Sequence, residues 1–491
     1  MNTYLGIDLG TSGVKILLVD SCGKILAQTT EEYPVYCLKD GWSEQNPLDW
    51  VNAVKTGINR LFKNGKNDRL DVKGVSFGGQ MHGLVLMDNQ DRVIRPAILW
   101  NDGRTQKQTD YLNREIGKEK LSNLTANIAF AGFTAPKILW VKENEPENFN
   151  KIAKICLPKD YLAYMMTGKF STDYSDAGGT LLLDVKNKRY SKEMCDICSV
   201  DRSWLAELYE SYEVTGKIKN EFGLPNAFAV AGAGDNAAAA IGTGTVSNGD
   251  CNISLGTSGT VFISGDNFSV DDKNSLHAFP HATGKWHLMG SILSAASANK
   301  WWIEDVLNTD YDLAVDGIQE KMGENNVYFL PYLMGERSPH NDVNARGAFI
   351  GMRQNTSKEE MSLAVLEGVA FALKDCVEIA KENGVAISKA TICGGGAKSI
   401  IWKEIIANVI NAEICSLETE QGPAYGAAIL AMVGVGEYES VQQATEKLVK
   451  ITSTTKPNQE LVKKYEQKYQ IYKTLYPTLK KVFENISTDK N

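Results

Sequence analysis

Short apolar runs broken by glycine turns set the pattern of this chain. Tyr4 to Asp8 and Val14 to Val19 flank Gly10-Thr11-Ser12-Gly13, which predicts a strand, a tight turn and a returning strand. Val51, Val54, Ile58, Leu61 and Phe62 then keep helical spacing, and Pro47 after Asn46 suits the first turn of that helix. Val72 to Phe77 reads as a strand. Phe228 to Ala237 reads as a buried strand, a glycine turn and then a helix start, with Asp235 at the helix N-terminus. Ser357 and Glu360 have the spacing of a capping box for a helix carrying Met361, Val365, Val369, Leu373 and Val377, stopped at Gly384. Thr391 to Cys393 is a short strand entering Gly394-Gly395-Gly396-Ala397-Lys398-Ser399. Near the C-terminus Tyr465, Tyr469, Tyr472 and Tyr476 form a helical stripe that Pro477 should break or kink. Strands alternating with helices define an α/β protein with mixed sheets flanked by helices.

The chain also repeats itself. Ile7-Asp8-Leu9-Gly10-Thr11-Ser12-Gly13 returns as Ile253-Ser254-Leu255-Gly256-Thr257-Ser258-Gly259, and each copy is followed by β-rich residues. Two domains of similar architecture are the simplest explanation, with a boundary near Gly244 and spans of 1–244 and 245–491. The copies differ at one place: Asp8 in the first is Ser254 in the second. Both turns can offer N–H groups to phosphate oxygens, but only the first adds a carboxylate suited to Mg²⁺.

Composition narrows the classes. At 491 residues the chain is too long for one core, and 43% hydrophobic with 23% charged residues is a globular mix. A net charge of −8 without a long basic run argues against nucleic acid or an anionic membrane as partner. The nine cysteines are scattered and odd in number, and Cys195-Asp196-Ile197-Cys198 lacks a second pair or nearby histidine, so neither a disulfide framework nor a zinc site is expected. Met1 runs almost directly into a strand, leaving no room for a signal peptide, and the most apolar stretch, Ala227 to Gly244, is interrupted by Asp235 and Asn236. The expectation is a cytoplasmic protein.

The candidate chemistry lies at strand ends. Gly232, Gly234 and Ala237 satisfy G-x-G-x-x-A, so a dinucleotide-binding turn and a dehydrogenase enter as one reading. Against it, Asp235 stands where a pyrophosphate would need to lie, and two anions there repel. Asp235 suits a helix N-cap, and it equally suits a base for phosphoryl transfer, which needs an acceptor hydroxyl positioned and its proton accepted late. Gly78-Gly79-Gln80-Met81-His82-Gly83 follows the strand Val72 to Phe77, where α/β ligand crevices lie, which favours a sugar-hydroxyl contact for His82. Trp100-Asn101-Asp102-Gly103-Arg104 supplies an aromatic face and polar groups for gripping a polyol, or a capped helix start at Asn101 or Asp102. Gly394 to Gly396 permits backbone contact with a nucleotide but is no Walker loop, because Ala397 stands where glycine is required.

Together these segments resemble the FGGY carbohydrate kinases. The likeness runs through Gly6 to Lys15, Trp42 to Gln45, Gly79 to Gly83, Ile98 to Arg104, Gly132 to Lys137, Leu157 to Tyr161, Gly234 to Ala237, Ser254 to Gly259 and Gly394 to Ala397, nearly the whole chain. Gln-Met-His-Gly points, within that family, to kinases of D-xylulose. The resemblance implies two duplicated ribonuclease-H-like, actin-like domains around a central cleft, the first for sugar and the second for nucleotide. It implies ATP-dependent phosphorylation with Asp235 as base and Asp8, with Asp235, beside Mg²⁺. Met81 and His82 would contact the ketose, with Gln80, Trp100, Asn101, Asp102, Arg104 and Asn236 completing the sugar site. Thr11, Ser12, Gly256, Thr257, Gly395 and Gly396 would hold ATP. An actin-like ATPase working through partners would share the fold, but needs no polyol pocket. A homodimer stays open.

Overall fold

The computed structural model describes residues 2–63, 68–314, 316–419 and 421–488. In it the first two apolar runs are strands β1 (Thr3–Leu9) and β2 (Gly13–Asp20), paired antiparallel. β1 is buried on both faces, which explains why it reads as a nearly continuous apolar run instead of alternating. On one face Leu5, Ile7 and Leu9 join Trp50, Val54 and Ile58 of helix α1 (Pro47–Phe62). That helix starts where expected: Asn46 accepts a hydrogen bond from the Leu48 N–H, and Pro47 occupies the first turn.

With β3 (Ile25–Glu32), β4 (Val72–Gly79), β5 (Val214–Lys217) and β6 (Phe228–Val230), the first sheet has the order β5–β6–β4–β1–β2–β3. β4 runs parallel to both β1 and β6, and β5 turns back antiparallel. Helix α2 (Asp235–Gly242) follows β6 through a glycine turn.

The second copy of the repeat builds the same arrangement. β7 (Asp250–Leu255) and β8 (Gly259–Gly265) form an antiparallel hairpin, and β9 (Lys389–Cys393) runs parallel to β7. β10 (Glu413–Leu417) is parallel to β9, and β11 (Ile451–Thr455) is antiparallel to β10. The order β8–β7–β9–β10–β11 matches β2–β1–β4–β6–β5 strand for strand and sense for sense. Between β8 and β9 lies helix α3 (Lys358–Glu382), opened by the expected reciprocal capping box of Ser357 and Glu360. Helix α4 (Ile400–Ile410) joins β9 to β10.

The packing divides the chain less simply than one boundary near Gly244. One compact unit holds Met1–Val246 together with Ala278–His287 and Gln421–Val449; the other holds Ser247–His277, Leu288–Glu420 and Lys450–Asn491. The returning segment contains helix α5 (Gly422–Gly434), whose Ala424, Ala428 and Ile429 cover Tyr4, Leu17 and Val19 on the other face of the first sheet. α5 is so rich in small residues that it lies directly on α2: a methyl group at Gly426 would fall 1.8 Å from the Ala238 carbonyl oxygen. A sheet apolar on both faces needs two covers, and the second arrives from far along the chain.

The last helix, α6 (Gln459–Thr488), runs through Pro477 and does not end there. Tyr465, Tyr469, Tyr472 and Tyr476 are buried before the proline and Phe483 after it, so packing on both sides outweighs the missing backbone bond.

Candidate active site

Strand register brings the two candidate carboxylates to one end of the first sheet. Asp8 pairs with Gly78 of β4, and Gly78 pairs with Ala233; Leu9, Gly79 and Gly234 form the next row. The turn between β6 and this row depends on Gly232, whose φ is +79° and whose absent side chain would lie 2.1 Å from the Phe77 carbonyl oxygen. Gly234 occupies the cap position of α2, so Asp235 is the first residue of the helix and not the N-cap the sequence suggests. Its Oδ1 accepts from the backbone N–H of Asn236 at 2.7 Å and from the Asn236 Nδ2 at 3.0 Å.

Both carboxyls are partly buried, and burial drives both upward. Asp235 is pushed up to about 7 by desolvation and then by the negative charge of Asp8, against the pull of the Asn236 N–H. Asp8 is pushed up to about 6 by desolvation, opposed by Lys15, its partner across the hairpin. A carboxylate poised near neutrality is well matched to general-base work.

Beside these groups, His82 lies at a positive φ of 67°, which turns its ring toward Gly179: Nδ1 lies 2.7 Å from the Gly179 carbonyl oxygen. The ring stacks on Phe133, with centroids 4.4 Å apart and an interplanar angle of 16°. The buried ammonium of Lys137 donates to the carbonyl oxygens of His82 at 2.9 Å and Gly132 at 2.7 Å, and burial holds its pKa well below the usual lysine range. Met81 is buried against Gly234, where a β-carbon would meet its Cγ at 2.9 Å. Phe133 and Lys137 entered the sequence reading only within the Gly132 to Lys137 likeness, with no role given to either, and Gly179 did not enter it. Lys137 also stands out as a charge in the apolar first half of its helix.

The remaining candidates in this unit divide. Trp100 stays exposed while its Nε1 donates to Thr11 Oγ1 at 2.9 Å, and Asn101 is exposed. Gln80 is buried: it donates to Gln45 Oε1 at 3.0 Å and accepts from Thr11 Oγ1 at 3.3 Å, so it braces the Asp8 turn from behind. Ser12 is exposed at the tip of that turn. Asp102 and Arg104 point inward. Asp102 accepts from the Ser43 N–H and from Arg104, and the Arg104 guanidinium also meets Glu44 at 2.7 Å and lies 3.6 Å over Trp42. Neither Asn101 nor Asp102 caps the following helix, whose cap position falls at Thr105.

In the second unit, Thr257, Gly395 and Gly396 line a cavity of about 1250 Å³, with Asn299, Lys300 and Tyr311 among its other walls. That volume accommodates a nucleotide. Gly394, at φ +91°, lets its loop lie on the β7 turn, since a side chain there would fall 2.7 Å from the Leu255 carbonyl. The turn at Gly256 and the triple glycine therefore meet. Among the described residues no three His, Cys, Asp or Glu side chains cluster to hold a metal ion.

Two α/β units with the same strand order, one bearing paired carboxylates at a strand end and the other a glycine-walled cavity, define the class of two-domain sugar kinases and actin-like ATPases. Residues 3–242 match the N-terminal domain of the FGGY family of carbohydrate kinases, and residues 251–435 match its C-terminal domain. The chain belongs to that family, and it is a sugar kinase. The xylulose kinase of Bacillus subtilis (strain 168) is 38% identical over 484 residues, covering 97% of each chain. The crystal structure of a xyloylose kinase from Brucella ovis superposes with a TM-score of 0.93 at 38% identity, covering 98% of this chain and 100% of that one. A gluconate kinase from Lactobacillus acidophilus shares the fold with a TM-score of 0.93 at 25% identity, covering 99% of each chain.

Proposed function

We propose that this kinase transfers the γ-phosphoryl group of ATP to a hydroxyl of D-xylulose. The observation that carries the reading is the Asp235 carboxylate, held near neutral pKa at a glycine-lined strand end beside Met81 and His82. In the proposed chemistry the sugar hydroxyl gives its proton to Asp235 as its oxygen bonds to phosphorus and the phosphorus–oxygen bond to ADP breaks. His82, with one ring nitrogen committed to Gly179, and Met81 orient the ketose. The first unit thus supplies sugar site and base, and the cavity at Thr257, Gly395 and Gly396 of the second unit takes the nucleotide.

Mg²⁺ fits this donor set. Asp8 is a hard oxygen donor whose burial leaves its charge incompletely balanced, and an ion that keeps most of its waters needs one or two carboxylates plus phosphates in place of a protein cage. Bound there, it would neutralise charge on the phosphates. The nine cysteines are all free thiols, in keeping with a reducing cytoplasm.

A coupled assay of ADP release across D-xylulose, D-ribulose, L-xylulose, L-ribulose, glycerol and gluconate tests the assignment. The expected result is strong sugar dependence, with the highest kcat/KM for D-xylulose. Gluconate or another polyol outperforming D-xylulose would contradict the substrate assignment, and ADP release indifferent to sugar would contradict the kinase reading altogether.

A further inference from the structure

We infer that Ser175 is a positioning residue for the catalytic base, the terminal member of a buried ion and hydrogen-bond array anchored on Lys159. The inference rests on the reading of Asp235 as that base.

Gly234 is the last residue before Asp235, and its backbone N–H donates to Ser175 Oγ at 3.2 Å. The Ser175 hydroxyl in turn donates to Asp173 Oδ2 at 2.5 Å, and the same carboxylate oxygen accepts from the Ser175 N–H at 2.9 Å and from Ser211 Oγ at 2.8 Å. Ser211 also holds the turn through its backbone, its carbonyl accepting from the Gly232 N–H at 3.0 Å. The other oxygen of Asp173 meets Lys159 Nζ at 2.8 Å, and that ammonium is shared with Asp160 at 2.7 Å and Asp176 at 3.6 Å. Lys159 lies directly beneath Gly79, the residue paired with Gly234, so one side chain supports the row from below while the array grips it from behind.

Cost makes the case for a role beyond stability. Lys159, Asp173 and Ser175 are fully removed from solvent, and Asp160 and Asp176 nearly or equally so. Taking an ammonium and three carboxylates out of water is expensive, and well-packed apolar side chains of similar volume often stabilise as well or better. What apolar side chains cannot do is fix a backbone N–H at a defined point and direction. The hydrogen bond to Gly234 is where this array reaches the chemistry, and a displacement of about 1 Å in a reacting group can lower rate ~10²-fold.

Ser175→Ala removes the acceptor and leaves a buried N–H without its partner. The expected result in the full-length enzyme is a kcat lower by roughly ten- to a hundredfold, with KM for D-xylulose and for ATP within about twofold of wild type, a split that a merely structural role would not produce. Ser175→Cys, isosteric but a weaker acceptor, falls between the two and serves if Ser175→Ala fails to fold. Wild-type kcat in either folded variant would overturn the positioning role. Asp235→Asn, assayed alongside, keeps the two claims apart: wild-type turnover there defeats the base assignment itself, whereas a loss there with none at Ser175 defeats only this inference.

Discussion

At the scale of single residues, the proposed chemistry rests on two carboxyls that burial pushes upward, Asp235 further raised by the charge of Asp8. As the proposed base, Asp235 must be ionised to work, so activity is expected to be full above its pKa and to be lost as pH falls through about 7. Asp8 contributes to that elevation by its charge, and Asp8→Asn removes it. The acid limb of kcat/KM in Asp8→Asn is therefore expected at lower pH than in wild type, along with weaker use of MgATP; a limb that stays put would mean the two carboxyls do not interact. The placing of Asp235 and Asp8 at glycine-flanked strand ends was legible in the sequence, because the apolar runs and glycine turns around them mark where the strands stop. The joint role of Lys159, Asp173 and Ser175 was not legible, since nothing in their spacing announces that their two segments converge, with that of Ser211, behind Gly234. The inward turn of Asp102 and Arg104 was equally hidden, because a polar cluster reads the same from either side.

Among the elements, glycines decide which turns can touch. The hairpins, α1, α3 and its capping box, and the strand entering the triple glycine all follow the hydrophobic spacing. The five residues repeated in both copies nevertheless close differently: Leu9 pairs with Val14, whereas Leu255 pairs with Gly259. For the proposed nucleotide site the contact that matters is the loop at Gly394 lying on the Leu255–Gly256 turn. Gly394→Ala puts a methyl group against that backbone at a φ of +91°, which strains the loop and pushes it from the cavity. KM for ATP is expected to rise about tenfold or more while D-xylulose affinity, read by calorimetry without nucleotide, holds; an unchanged KM would remove that loop from the nucleotide site. α6 passing Pro477 shows the opposite balance, with buried tyrosines overriding a local breaker.

For the molecule as a whole, the internal repeat predicted two similar units, and matching strand orders bear out the duplicated architecture. The repeat does not reveal that α5 belongs with the first sheet, because a helix rich in Ala and Gly carries no record of which distant surface it covers. In the proposed function Asp235 takes the proton while the cavity at Thr257, Gly395 and Gly396 takes the nucleotide, so disabling the proposed base is expected to spare nucleotide binding. The most direct measurement is turnover of Asp235→Asn with D-xylulose, accompanied by its affinity for ATP. The account predicts a kcat reduced by ~10²–10⁴ with ATP affinity preserved. Turnover equal to wild type would contradict it, and Asp235 would not be the group that takes the proton.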